Sequence, residues 1–219
     1  MWRPTPDDIA RTGWATRRRA PYDGAVMSVG SRPIVPSRLA PGGIAHGNRR
    51  TPTSVVGAYV ALTKPRIIEL LLITTVPTMV VAEQGWPAWS LVAVTLLGGT
   101  LAAGSANAVN MYVDRDIDAM MKRTAGRPLV TGIIPARNAL IFAVVLQVLA
   151  FAVLWAGANL LSAVLAFGAA AFYIGVYTLW LKRTSRQNIV IGGAAGAVPV
   201  LVGWAAVQNS LSWTPVVLF

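Results

Sequence analysis

The chain reads as an all-α protein, a polytopic transmembrane helix bundle, and three features carry that reading. Of its 219 residues 55% are hydrophobic and only 12% charged, with a mean hydropathy of +0.57; soluble domains carry about 25% charged residues. The apolar residues gather in blocks close to the ~20 positions that a bilayer-spanning helix needs, not in short alternating runs. The basic residues fall in the tail and in every second loop, a pattern that membrane insertion imposes. A net charge of +11 would suit nucleic acid, whose phosphates attract basic proteins, but membrane topology accounts for it, and no nucleic-acid partner is expected. Without cysteine, disulfides, thiol nucleophiles and thiolate metal sites are excluded.

Taken in order, residues 1–56 read as a disordered, basic cytoplasmic tail, rich in Arg, Pro and Gly and without periodicity. Arg17-Arg18-Arg19 and Arg49-Arg50 can touch anionic headgroups there, and the single histidine, His46, is better read as part of this tail than as a ligand. Met27 is an alternative start, and the first apolar block comes too late for a cleavable signal peptide. Spanning helices are expected at 66–83, 89–112, 137–156, 160–181 and 188–208, each near the required length. A further one begins near Trp213 and is interrupted at Phe219, so the chain reads as a fragment of a longer protein.

The loops set the orientation. Lys64 and Arg66 precede the first span, Arg115, Lys122, Arg123, Arg127 and Arg137 follow the second, and Lys182, Arg183 and Arg186 follow the fourth. The intervening loops near 84–88, 157–159 and 209–212 hold no Lys or Arg. All basic loops thus share one side, which places the N-terminus in the cytoplasm of a cell-membrane protein.

At the end of the second span stands Asn110-Met-Tyr-Val-Asp114-Arg-Asp116-Ile-Asp118, with three of the chain's eight acidic residues. Asn110, Asp114 and Asp118 fall at i, i+4 and i+8, so on a helix they climb one face in steps of about 6 Å. Such oxygens can hold Mg²⁺, which in turn binds phosphate oxygens. Like charges at this spacing repel unless a cation or a basic partner offsets them. Asp116 points to another face and is expected to meet Arg115, Arg123 or solvent. Lys122-Arg123 and Arg127 follow at once, and Lys182-Arg183 closes the fourth span on the same side, with Tyr177 about a turn earlier. Acidic metal ligands beside basic side chains suit a diphosphate substrate and stabilise a departing pyrophosphate. Glu69, one turn inside the first span, is a weaker candidate as a cavity residue or partner of Arg66. Gly192-Gly-Ala-Ala-Gly196-Ala-Val-Pro199 has no preceding strand, so close helix packing and a proline kink explain it better than a phosphate loop.

Asn110-x-x-x-Asp114-x-x-x-Asp118 followed by Lys122-Arg123-Thr124-x-x-Arg127-Pro128-Leu129 resembles the first aspartate-rich motif of the UbiA-type intramembrane prenyltransferases. Leu62-Thr-Lys-Pro-Arg66, Tyr177-Thr-Leu-Trp-Leu-Lys-Arg-Thr-Ser-Arg-Gln-Asn188 and Gly192-Gly-Ala-Ala-Gly-Ala-Val-Pro-Val-Leu-Val-Gly-Trp204 resemble its haem branch, the protohaem IX farnesyltransferases or haem O synthases. The resemblance covers residues 57–219 and implies the N-terminal part of a bundle of nine helices around a central cavity. It implies that Asn110, Asp114 and Asp118 hold Mg²⁺ on farnesyl diphosphate and that Lys122, Arg123, Arg127 and Lys182 contact the diphosphate; Arg66 and Tyr177, on the same side, are expected near it as well. Ionisation would then give an allylic cation that alkylates a vinyl group of haem b to yield haem O for terminal oxidases. No Asp or Glu follows Asp118, so the family's second aspartate-rich motif and its later histidine-containing stretch are expected beyond Phe219, and this chain alone is expected to be inactive. A quinone-type prenyltransferase would share the first motif. A cation carrier would place its acids near the bilayer midplane rather than beside Lys-Arg-Thr.

Overall fold

The structure, a computed structural model, describes residues 54–219 apart from Arg186 and the side chain of Arg183. The tail features, from Arg17 and Met27 to His46 and Arg50, lie outside the described residues. Among the described residues all regular structure is helical. Five helices are long and apolar enough to cross a membrane: Val55–Glu83, Trp89–Val113, Ala136–Gly157, Leu160–Leu181 and Asn188–Gln208. Four match the expected spans to within a residue or so at either end.

The first does not. It begins at Val55 rather than at 66, capped by Ser54, whose hydroxyl accepts from Gly57 N at 3.0 Å. The Lys64-Pro65 dipeptide reads as a helix boundary, because proline lacks an N–H and disfavours a right-handed residue before it. The boundary is real but internal. Lys64 turns left-handed (φ 55°, ψ 64°), and the helix resumes with Pro65 at its first position, where no amide donor is required. The span is therefore three pieces, Val55–Thr63, Pro65–Leu72 and Thr75–Glu83. Lys64 and Arg66 lie within it instead of ahead of it.

The second span is the centre of the bundle and packs against the first, third, fourth and fifth. Lipid gives little hydrophobic drive for helices to pair, so close packing and hydrogen bonds must hold them. Ala58, Leu62, Ala108, Met111, Ala139 and Ala143 form one small-residue core among the first three spans. A second joins Ala102, Ala150, Leu154, Ala163, Ala166 and Val202. A Cβ on Gly98 would overlap the Leu154 side chain, and one on Gly203 would come within 2.8 Å of Thr75 O.

Beyond Val113 the chain bends at Asp114 and continues as the short helix Arg115–Met120. The fourth span starts on an Asn159 cap, whose Oδ1 accepts from Ser162 N at 2.9 Å while its Nδ2 donates to Ala205 O at 2.7 Å in the fifth span. Its last part, Tyr173–Leu181, is π-helical, a widened winding that often marks functional positions. The fifth span carries Pro199 in its interior, and a short helix, Trp213–Leu218, follows.

Candidate active site

The end of the second span supplies the polar face. Asp114 N donates to Asn110 O at 3.0 Å and Asp118 N to Asp114 O at 2.8 Å, so helical register survives the bend and Asn110, Asp114 and Asp118 stay on one side. All three are buried, at 3%, 2% and 2% exposure, whereas Asp116 is exposed as its angular position requires. Burying carboxylates costs far more than burying apolar atoms unless they are paired. Here each acid has a basic partner. Lys182, from the end of the fourth span, pairs with Asp114 Oδ2, and Arg127, from the loop after the second span, pairs with Asp118 Oδ2.

A third cation comes from the broken span. Lys64 Nζ donates to Asn110 Oδ1 at 2.9 Å. The left-handed turn at Lys64 also leaves the Thr63 carbonyl outside the regular helical ladder, and Asn107 Nδ2 donates to it at 2.9 Å. Asn110 Nδ2 donates to Asp114 Oδ2 at 3.0 Å and to Thr178 Oγ1 at 3.3 Å. Thr178, in the π-helical stretch, donates in turn to Tyr173 O at 2.9 Å. Thr124 Oγ1 donates to Asp118 O at 2.9 Å and ties the basic loop to the short helix. One polar atom stands apart: Asp114 Oδ1 is buried without a hydrogen-bond partner.

The donor set fits a hard divalent cation. Two carboxylates and an amide oxygen share a face, and one carboxylate oxygen is unclaimed. Among the described residues no three Asp, Glu, His or Cys side chains cluster tightly enough to cage a metal by themselves. Mg²⁺ is commonly held this way, by one or two carboxylates with water and substrate phosphates completing the octahedron.

The other expected residues distribute unevenly. Lys122 and Arg123 are exposed on the loop, and Arg66 is exposed on the first span, where its neighbour Lys64 makes the contact with Asn110. Tyr177 is half-buried and stacks on Tyr173 with centroids 5.1 Å apart. Glu69 is exposed and does not line the apolar cavity beneath the polar face. Arg186 and the side chain of Arg183 fall outside the described residues. Asn107, Thr124 and Thr178 were not singled out from sequence. Asn107 had a signal, an amide in an otherwise apolar span; Thr178 had none.

Beneath the polar face lies an apolar cavity of about 230 Å³, bounded by the first, second, fourth and fifth spans. Asn107 and Tyr173 line it and also belong to the polar face or its supports, so the two are contiguous. On the second span its lining runs from Asn107 to Thr95, about 18 Å of helix rise. Gly192 shows why this stretch is small: a Cβ there would overlap the Tyr177 ring. Gly192, Ala195, Gly196 and Pro199 also line the cavity, so the run expected to serve packing additionally makes room.

Residues 71–219 match the family model described as the UbiA prenyltransferase family, and the chain belongs to that family. With five helices suited to span a bilayer, it is an integral membrane protein. Among its relatives, a protoheme IX farnesyltransferase of Clavibacter sepedonicus is 59% identical over 164 residues, 74% of this chain and 53% of that protein. A protoheme IX farnesyltransferase of Pseudarthrobacter chlorophenolicus is 52% identical over 195 residues, 89% of this chain and 59% of that protein. The chain spans about half the length of the curated relatives it matches. In fold it is similar to a UbiA homolog from Archaeoglobus fulgidus bound to DMAPP and Mg²⁺, with a TM-score of 0.57 at 20% identity over 70% of this chain and 55% of that one. The GPP and Mg²⁺ complex of that homolog gives a TM-score of 0.56.

Proposed function

We propose that residues 57–219 belong to an intramembrane, Mg²⁺-dependent prenyltransferase domain that moves a farnesyl group from farnesyl diphosphate to a vinyl group of haem b, giving haem O. The observation that carries this reading is the contiguity of a buried oxygen face, set among three basic side chains, with an apolar cavity. An amphipathic allylic diphosphate needs both. The haem acceptor rests on the identity to proteins named protoheme IX farnesyltransferase.

In this reading Asn110, Asp114 and Asp118 hold Mg²⁺, which when bound draws charge from the leaving diphosphate. Lys64, Lys182 and Arg127 face the same oxygens and neutralise the negative charge that grows as the C–O bond breaks. The electrons of that bond leave with the diphosphate, and the farnesyl cation stays in the apolar cavity. There the ring of Tyr173, which lines the cavity with Tyr177 stacked against it, favours positive charge, and the largely apolar lining offers few groups that would quench it. The terminal vinyl carbon then attacks C1 of the cation, and the positive charge left on the inner vinyl carbon is captured by a water molecule from the cytoplasmic mouth, which loses a proton to solvent to leave the hydroxyl of haem O. The basic loops, and with them the N-terminus, face the cytoplasm, where the polar substrate headgroup enters.

The test incubates membranes bearing a protein of the relatives' length that includes this chain with farnesyl diphosphate, Mg²⁺ and haem b and looks for haem O by chromatography. Asp114→Ala and Asp118→Ala should each abolish product; undiminished activity in both would overturn the ligand assignment. Prenylation of 4-hydroxybenzoate but not of haem would replace the acceptor and leave the diphosphate site standing.

A further inference from the structure

We propose that Lys64, Lys182 and Arg127 are resident cations that compete with the metal: each sits on an oxygen that a divalent cation would take, and each passes to the diphosphate when the metal enters. The proposal rests on the reading of the Asn110–Asp118 face as a metal–diphosphate site and gives it an order of assembly.

The geometry is specific. Every one of the three ligand side chains has a basic group on it, and the three groups come from separate elements: a break inside the first span, the end of the fourth, and the loop after the second. Insertion rules would put lysine and arginine near these helix ends, but would not aim each at a different ligand oxygen. Lys64 in particular reaches Asn110 from a left-handed backbone position (φ 55°) at the break in the first span. A non-glycine residue holds that conformation at a cost, and strain of this kind gathers at sites where a side chain must be placed.

The charge balance gives the consequence. Two carboxylates face three cationic side chains, 3 − 2 = +1. A bare divalent cation would enter a site already in positive excess and raise it to +3. A diphosphate brings between one and two negative charges per phosphate near neutral pH, so metal and diphosphate together return the site close to neutrality. Asp114 Oδ1, buried and unpaired, is the foothold at which the metal first binds while Lys182 still occupies Oδ2. The metal then takes the remaining oxygens as the three cations swing to phosphate. Metal alone therefore binds poorly, metal and diphosphate bind with positive coupling, and the coupling is the same whichever arrives first.

The experiment measures Mn²⁺ binding to the full chain in nanodiscs by electron paramagnetic resonance, with and without inorganic pyrophosphate, and subtracts an Asp114→Asn/Asp118→Asn double variant to remove chelation in solution. The unmodified protein should bind Mn²⁺ at least about tenfold more tightly with pyrophosphate present. Lys182→Met should bind Mn²⁺ alone about tenfold more tightly than the parent and lose most of the pyrophosphate effect, whereas Lys182→Arg should behave as the parent does. Lys64→Met, whose partner is a neutral amide and whose fold is less at risk, should shift the same way by a smaller factor. Mn²⁺ binding that is unchanged or weaker in both methionine variants would overturn the proposal and leave the metal site intact. Equal binding by the double aspartate variant and the parent would remove the metal site itself. Neither result depends on farnesyl diphosphate or haem.

Discussion

The two halves of the second span are held in the bundle by different physics. From Trp89 to about Ala103 it is anchored by shape: Gly98 lies against the Leu154 side chain, and Val94 lies where a Cβ on Gly157 would fall. From Ser105 onward the packing of Ala108 and Met111 is joined by polar links. Ser105 Oγ donates to Ala143 O at 2.8 Å, Asn107 reaches Thr63, Asn110 meets Lys64 and Asp114 meets Lys182. A single helix thus divides into a packed half beside the cavity and a hydrogen-bonded half bearing the oxygen face. Packing contacts are many and individually small, and they keep a cavity open without putting chemistry in it. Polar links inside a low-dielectric bundle are few and individually large, which places side chains well and makes their removal costly.

That contrast can be broken from the polar side first. Lys182→Met leaves Asp114 buried without its cation and should cost about 3 kcal/mol, the low end for a buried pair because the lysine keeps some contact with solvent. Thermal unfolding in detergent reads this out. Adding Asp114→Asn should restore most of the loss, and a double variant no more stable than Lys182→Met would show that the pair is not the source. On the packed side, Gly98→Val must displace Leu154 and should cost about 2 kcal/mol by overpacking. The compensating Leu154→Ala change should recover part of it, as no polar substitution would. Smallest is Ser105→Ala, at about 0.6 kcal/mol, the usual worth of one interhelical hydrogen bond in a membrane. If Ser105→Ala proved as costly as Gly98→Val, the halves would not differ as described.

The polar and packed halves also differed in how far they could be read before folding. Four spans were legible because membrane insertion sums hydropathy over about 20 residues, and such a sum tolerates local irregularity. The first was misread for the same reason that it matters. A proline rule that correctly finds a boundary at Lys64-Pro65 cannot say whether helix continues on its far side. Of the two basic residues beside that boundary, Lys64 meets Asn110 and Arg66 is exposed. The π-helical winding from Tyr173 to Leu181 left no trace in composition, since an apolar run looks alike at either pitch. Yet that winding sets Thr178 against Asn110 and delivers Lys182 to Asp114.

Local order along the chain was enough to decide that this is an all-helical membrane bundle with Asn110, Asp114 and Asp118 on one face, because hydropathy and a 3.6-residue period act between near neighbours. Tertiary structure alone decided which cation meets which oxygen and that Asp114 keeps one oxygen free. Two of those pairings join residues 46 and 68 positions apart, while Arg127 and Asp118 lie nine apart, and the two long-range ones involve a broken helix and a widened one whose consequences appear only once the spans pack.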